Sequence, residues 1–191
     1  MFKSPVAIAV SVGLISLSSQ ALGQNLILNG NFGSGNFTDW NVSGSTFNVV
    51  AASYGINPPQ VGDQMAQADG NDTLSQTFGT TIGVSYELSF ANANSRGPNN
   101  QGGVFISGSI DGSSLFTDNT DLSNTSWLTS SYEFTATSAS TTLQLNLNFF
   151  NANGDGLITD ISVTPAPEPS TLALAAAGLV GLSVTRRRHR D

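Results

Sequence analysis

The chain of 191 residues has no cysteine, and its single histidine, His189, lies in an arginine-rich cluster near the last residue. Disulfide bonds, thiol chemistry and thiolate-based zinc sites are therefore excluded, and the main part of the chain has no imidazole for acid–base catalysis. Cations are also scarce: residues 24–163 contain 11 acids and one cation, Arg96, which gives a net charge of −10. Such a stretch cannot neutralise a phosphate backbone, so nucleic-acid binding is excluded.

The two apolar runs near the ends have 12 and 13 residues, whereas a transmembrane helix needs about 20. The first run, Val6 to Leu17, follows Lys3 and precedes Ala21-Leu22-Gly23, which supplies the small residues of a signal-peptidase site. We therefore predict a secretory signal peptide at residues 1–23, which signal peptidase removes before Gln24. The alternative is an uncleaved anchor, but 12 helical residues cover only about 18 Å.

The second run, Leu172 to Val184, stands between a Pro-rich segment (TPAPEPS, 164–170) and a basic sequence (RRRHR, 186–190). Proline excludes helix and central strand from the Pro-rich segment. The positive-inside rule leaves the basic cluster in the cytoplasm and the main domain outside. We expect a short C-terminal hydrophobic helix that inserts into the membrane, either transiently as a stop recognised by a membrane enzyme or persistently as a tail anchor.

The central stretch, residues 24–163, has the composition and the pattern of a β protein. It contains 18 Asn among 140 residues, together with abundant Gly, Ser and Thr, while good helix formers are scarce. Every second residue is apolar from Leu143 to Phe149, as expected for a strand with one buried face. The same period predicts that the odd-numbered residues from Leu157 to Val163 share one face.

Short apolar or alternating segments, separated by turn residues, predict nine strands in this stretch. They lie at residues 26–32, 47–52, 64–68, 74–78, 86–90, 104–106, 132–136, 143–149 and 157–163. This spacing is typical of a sandwich or barrel. Residues 92–103, rich in Asn and Gly, are predicted to form a long loop. A stretch of this length buries about two-thirds of its unfolded surface, so it can fold as one domain without disulfides.

The C-terminal segment resembles the PEP-CTERM sorting signal in all three of its parts. These parts are Pro167-Glu168-Pro169-Ser170, the alanine- and leucine-rich run that follows, and Arg186-Arg187-Arg188. The resemblance implies a Gram-negative bacterium whose exosortase processes the tail near the Pro-Glu-Pro sequence. It also implies a location at the cell surface, at the outer membrane or outside the cell. Proteins with this signal commonly accompany exopolysaccharide production in biofilm-forming species.

The central stretch resembles the galactose-binding-like jelly rolls of carbohydrate-binding modules. Six segments, spread from the beginning to the end of the stretch, carry the resemblance. They are Asn25 to Phe32, Phe37 to Trp40, Leu74 to Phe78, Tyr86 to Phe90, Tyr132 to Ala136 and Asp160 to Val163. The resemblance implies an all-β fold, a single jelly-roll β-sandwich at residues 24–163, between the signal peptide (1–23) and the sorting signal (164–191). It also implies that an extracellular polysaccharide is the partner.

In such modules a structural calcium often ties the first strand to the last. Calcium takes six to eight oxygen ligands, which an Asn- and Asp-rich surface can offer. Asp160 matches the closing acid of these modules, whereas Gly33 stands where they have an acid after the first strand. Asp69 and Asp72 are further candidate ligands, and no other cofactor is expected. The alternative is that Asp160 faces solvent.

Sugar recognition usually combines an exposed aromatic ring with amide and carboxylate partners. Tyr54, Trp40 and Trp127 are the candidate rings, although tryptophan more often packs in a core. Arg96, in the long loop, is a candidate clamp for a ligand carboxylate or a partner for a neighbouring acid.

Candidate catalytic groups are few. Glu87 and Glu133 both fall on polar strand faces and are the pair that a glycoside hydrolase would need, but the serines of residues 24–163 have no histidine partner. We therefore predict a non-enzymatic, exported protein that binds exopolysaccharide or another glycan through aromatic stacking and amide hydrogen bonds. The alternative is a structural component of the extracellular matrix without a discrete ligand site.

Overall fold

The computed structural model describes residues 23–44, 46–52, 56–60, 63–68, 70–94, 103–120, 126–150 and 156–166. The regular structure in these ranges consists of strands, and no helix within them is long and apolar enough to cross a membrane. The predicted signal peptide and the hydrophobic run of the sorting signal lie outside the described residues.

The strands form two five-stranded antiparallel sheets. In chain order they are β1 (Asn41–Ser43), β2 (Asn48–Val50), β3 (Met65–Ala68), β4 (Asp72–Gly79), β5 (Ser85–Asn94), β6 (Gly103–Ile110), β7 (Ser113–Thr120), β8 (Leu128–Thr135), β9 (Ser140–Phe150) and β10 (Gly156–Pro165). Sheet A has the order β1-β4-β9-β6-β7, and sheet B has the order β2-β3-β10-β5-β8. The prediction of an all-β sandwich is confirmed.

The main core lies between the two sheets and follows from alternation along the strands. Leu143, Leu145 and Leu147 of β9 are fully buried, because successive side chains of a strand point to opposite faces. Between the edge strands β7 and β8, the rings of Phe116 and Tyr132 stack with centroids 4.0 Å apart. This stack closes one side of the sandwich.

The predicted first strand, residues 26–32, is not a strand. Isolated backbone hydrogen bonds and side-chain hydrogen bonds take the place of continuous pairing with a neighbouring strand. Leu26 N donates to Val163 O of β10 at 2.8 Å. On the other side, the Gln76 carboxamide of β4 accepts a hydrogen bond from Leu28 N at 2.8 Å and donates one to Leu28 O at 3.0 Å. The segment thus bridges sheet A and sheet B.

Two strands, β1 and β7, are not predicted by the sequence pattern. β1 has only three residues, all exposed, and β7 is interrupted by a register shift against β6 near Ser109. The predicted loop at 92–103 is also too long, since β5 continues to Asn94 and β6 begins at Gly103. Asn92 is buried within β5, and a buried polar residue gives no apolar alternation.

Strand β10 contains a β-bulge, where Asp160 and Ile161 together stand opposite one residue of β5. The prediction that Leu157 shares a face with Ile161 and Val163 is therefore wrong. Leu157 belongs to a smaller core on the outer face of sheet B, whereas Ile158 lies with Ile161 in the main core. The extra residue reverses the alternation along the strand.

Replacing Gln76 with leucine should destabilise the sandwich. The backbone N–H and C=O of Leu28 lose their partners, which should lower the free energy of unfolding by about 1–3 kcal/mol, measured by urea denaturation. The matched control is Gln144→Leu at an exposed position of β9, which should change stability by at most about 0.5 kcal/mol. Equal losses in the two variants would contradict the bridging role of Gln76.

Candidate functional site

A surface pocket of about 410 Å³ lies where the N-terminal segment crosses the bulge of β10. Its lining combines four amides, a carboxyl group and a hydroxyl group, from Asn25, Asn29, Asn31, Gln60, Asp160 and Ser162. Amide side chains donate and accept hydrogen bonds, and a carboxylate accepts them. The pocket therefore offers both kinds of partner to a polyhydroxyl ligand.

The bulge and a glycine fix the geometry of this pocket. Asp160 has a φ of 52°, a left-handed conformation that aspartate tolerates better than most residues. Ile161 N donates to Gly30 O at 3.0 Å. A Cβ atom at Gly30 would overlap the carbonyl oxygen of Ile161, so only glycine lets the segment approach β10 so closely. Asn25 adds a second tie, because its Oδ1 accepts a hydrogen bond from Val163 N at 2.9 Å.

A second carboxyl group, that of Asp63, lies beside Asp160. Asp63 and Asp160 share a hydrogen bond, and Asn31 Nδ2 donates to Asp63 Oδ1 at 2.6 Å. Burial, followed by the charge of Asp63 and the shared hydrogen bond, raises the pKa of Asp160 above its usual value of 3.8. The two carboxyl groups therefore repel each other when both are charged, and a cation bound between them would relieve this repulsion.

A second pocket, of about 440 Å³, adjoins the first, since Gln60 lines both. Residues 57–60, Ala51, Asp63 and Gln64 form its walls. Its polar groups are the amides of Asn57, Gln60 and Gln64 and the carboxyl group of Asp63, beside the rings of two prolines. We refer to the two cavities as the paired pockets.

Residues 56 and 57, at the start of the loop that lines the second pocket, are held on the outer face of sheet B. Ile56 and Trp127 pack on the smaller core formed by Met65, Ala93 and Leu157. The indole Nε1 of Trp127 donates to Asn57 O at 2.7 Å. Trp127 is half-buried and holds the loop at Asn57 in place. This agrees with the alternative that the tryptophan packs in a core and does not stack on a sugar.

Two predicted ligand-binding residues lie inside the sandwich. Trp40 is 7% exposed, and its Nε1 donates to Asn29 O at 3.1 Å. The hypothesis of a stacking ring at Trp40 is therefore corrected, since the indole belongs to the main core. Asp72 is 2% exposed in β4, and its carboxylate accepts hydrogen bonds from Thr46. The structure thus does not bring Asp72 to Asp160.

The other predicted site residues lie outside the described parts of the chain. They are Tyr54, Arg96 and Asp69, together with the sorting residues Pro167, Glu168, Pro169, Arg186, Arg187 and Arg188. Their roles stay predictions.

The two glutamates considered for catalysis stand directly opposite each other on β5 and β8, as Glu87 and Glu133. Ser131 of β8 donates a hydrogen bond from its hydroxyl to Glu87 Oε1. Like charges opposite each other on neighbouring strands repel, and this hydrogen bond offsets part of that repulsion. The pair lies on sheet B, outside the linings of the paired pockets.

Sequence reasoning missed Asn31, Gln60 and Asp63 as site residues. Asp63 and Asp160 are far apart in the chain, and no local spacing or motif links them. The asparagine-rich opening segment was the one sequence signal for this site. Its pattern predicted a β-strand and not the wall of a pocket. Only the bulge and the bridging segment bring these side chains together.

The sequence comparison identifies the C-terminal segment. Residues 165–188 match the PEP-CTERM protein-sorting motif. The chain carries a PEP-CTERM sorting motif. The motif marks the protein for export and for exosortase-dependent sorting to the bacterial cell surface, and its first residue, Pro165, is the last residue of β10. No curated protein matches this sequence.

Solved structures with a similar fold include carbohydrate-binding modules. TmCBM61, determined with β-1,4-galactotriose, is 19% identical with a TM-score of 0.59, and the match covers 75% of this chain and 99% of that one. The CBM22-1 xylan-binding domain of Paenibacillus barcinonensis Xyn10C is 14% identical with a TM-score of 0.55, over 78% and 98%. The active domain of bacteriophage CBA120 tailspike protein 4 is 12% identical with a TM-score of 0.55, over 74% and 21%. These likenesses establish a jelly-roll fold.

Replacing Asp160 with asparagine should stabilise the sandwich at neutral pH. Because folding raises the pKa of Asp160, its favourable contribution is complete below the usual value of 3.8 and is lost as the pH rises through the raised pKa. Asparagine keeps the left-handed backbone and does not titrate. In the presence of a chelator, the melting temperature of Asp160→Asn should exceed that of the wild type at pH 7, and the difference should vanish in acid.

The control for this prediction is Asp111→Asn, at another aspartate with a positive φ (49°). This variant should show no such pH-dependent gain. A constant difference between Asp160→Asn and the wild type at all pH values would contradict the assignment.

Proposed function

We propose that the protein is a non-enzymatic glycan-binding protein of a Gram-negative cell surface. It crosses the inner membrane by means of the signal peptide at residues 1–23, and exosortase acts near the Pro-Glu-Pro sequence. The hydrophobic run at 172–184 holds the protein in the membrane as long as exosortase has not processed the tail. Its function is adhesion to exopolysaccharide or another extracellular glycan of the biofilm matrix.

The paired pockets are the observation that carries this proposal. Their linings contain eight amide and carboxyl side chains, and Gln60 lines both cavities. Sugar hydroxyls both donate and accept, and amides complement them in both directions. Residues 24–163 carry a net charge of −10, so the surface favours a neutral polysaccharide over an acidic one.

The fold adds support of a general kind. Modules with this jelly roll include one determined with a galactotriose and one described as xylan-binding. Those ligands belong to those proteins, and they make a neutral glycan the first class to test here.

Replacing Gln60 with alanine should weaken glycan binding, because this side chain reaches both pockets. Loss of one or two hydrogen bonds should reduce affinity by about three- to tenfold. A neutral-glycan array, followed by calorimetry on the fragment 24–166, provides the measurement. The control, Gln144→Ala on sheet A, should bind like the wild type, while Tyr54→Ala tests the predicted stacking ring separately.

Saturable binding that survives Gln60→Ala unchanged would exclude the paired pockets. Lack of saturable binding to any glycan would favour the second candidate, a matrix component without a discrete site.

One feature of sheet A favours this matrix component. Its outer face carries uncharged polar side chains that bond between strands, as in Thr73 Oγ1 to Asn146 Oδ1 (3.0 Å) and Thr77 Oγ1 to Thr142 Oγ1 (2.8 Å).

We further propose that Asp63 and Asp160 hold a structural calcium. No group of three or more candidate metal-ligating His, Cys, Asp or Glu side chains occurs among the described residues, so amide and backbone oxygens must complete the coordination. The donor chemistry fits, because the carboxyl groups of Asp63 and Asp160 lie close enough to interact and carboxylate oxygens are ligands that calcium takes. Asp63 then takes the place of the acid that the sequence lacks at Gly33.

Calcium should raise the melting temperature of the wild type at pH 7, because an ion that binds only the folded state stabilises it. At a concentration 100 times the dissociation constant, the gain is about 2.7 kcal/mol. Asp160→Asn should lose this response, and Asp111→Asn should keep it. A shift of the same size in Asp160→Asn would place the ion elsewhere, and an unchanged wild type would reject the calcium.

A further inference from the structure

Both ends of the described chain leave the sandwich at the same place. The backbone of Gly23 lies against the side chain of Thr164. Strand β10 ends at Pro165, and Ala166 N donates to Ser85 O at 2.9 Å. We define the tail end as this exit together with the loops that surround it, residues 79–85, 110–113, 135–140 and 164–166.

The four segments of the tail end contain few charged residues of their own. Asp111 is the one charged residue of these four segments, all of which the structure describes. Its carboxylate is engaged, since Oδ1 accepts a hydrogen bond from Thr142 N at 2.7 Å. Two further acids lie at its border, because Glu87 stands opposite Thr164 and Glu133 stands opposite Glu87.

A large apolar side chain projects from this end. Ile82 is 65% exposed and occupies the second position of a turn in which Val84 N donates to Thr81 O at 3.1 Å. Gly83 follows with a φ of 81°, as a type II turn requires at its third position. The turn is supported from below, because Gly83 N donates to Ala136 O at 2.8 Å. Ile82 is thus displayed on a rigid loop.

The hydrophobic run starts close to the tail end. Five residues separate Ala166 from Leu172, so even full extension places the start of the run at most about 22 Å away. A ten-residue strand such as β10 is about 33 Å long. A tether this short keeps the tail end at high effective concentration near the membrane that holds the run.

We propose that the tail end is a membrane-contact surface, and that Ile82 enters the lipid interface while the hydrophobic run is inserted. This inference rests on the proposed insertion of residues 172–184. It assigns the partner as a lipid bilayer and orients the sandwich with its strands pointing away from the membrane. The paired pockets then lie along the side of the domain, where a polysaccharide can reach them.

The test uses the mature chain, residues 24–191, in vesicles of phosphatidylethanolamine and phosphatidylglycerol. Since the chain has no cysteine, single-cysteine variants accept one environment-sensitive fluorophore each. Ile82→Cys reports on the tail end, and Ala176→Cys reports on the hydrophobic run. Leu128→Cys is the matched control, because Leu128 is also exposed (41%) but lies seven residues along β8 from Thr135, about 23 Å away.

Lipids that carry a nitroxide near the headgroup should quench the probe at position 82 several-fold more than the probe at 128. The probe at 176 should be quenched by nitroxides deeper in the acyl chains. If the deep nitroxides quench the probe at 176 but the probes at 82 and 128 are quenched equally, the proposed contact surface is wrong, although the membrane anchor is supported. If the deep nitroxides do not quench the probe at 176, the hydrophobic run is not inserted and this inference is wrong. Glycan binding by the fragment 24–166 would still be tested separately.

Discussion

A single extra residue in β10 is the constraint on which the site depends. Without the bulge, strict alternation would point Asp160 into the core and Ile161 to the surface. The bulge reverses this, so Ile161 stays in the main core and Asp160 meets Asp63. It also places Ile161 N to bond Gly30 O, which holds the N-terminal segment as a wall of the pocket.

The same segment serves stability and function at once. Unpaired stretches of strand invite wrong pairing, and β1 and β3 pair with only three residues each of β4 and β10. Here residues 24–32 bridge β4 and β10 through the Gln76 amide and the backbone of Leu26, and their polar side chains line the first pocket. A change that loosens the segment therefore affects both the free energy of unfolding and the shape of the pocket.

Charge is distributed according to the surroundings of each surface. The paired pockets hold two neighbouring carboxyl groups, whereas the loops of the tail end contain one acid and expose Ile82. The sorting motif begins at the last residue of β10, so no long linker separates the folded domain from the segment that directs it.

The sequence by itself determined the sorting signal, the all-β class and the buried face of strands such as β9, because these depend on local composition and on a period of two. It did not determine the edge strands β1 and β7 or the true role of residues 26–32, whose partners are side chains from distant positions. Trp40 and Asp72 looked like site residues and proved to be interior ones. Only the tertiary structure joined Asn31, Gln60, Asp63 and Asp160, since their proximity arises from a bulge and a crossing segment that no local pattern encodes.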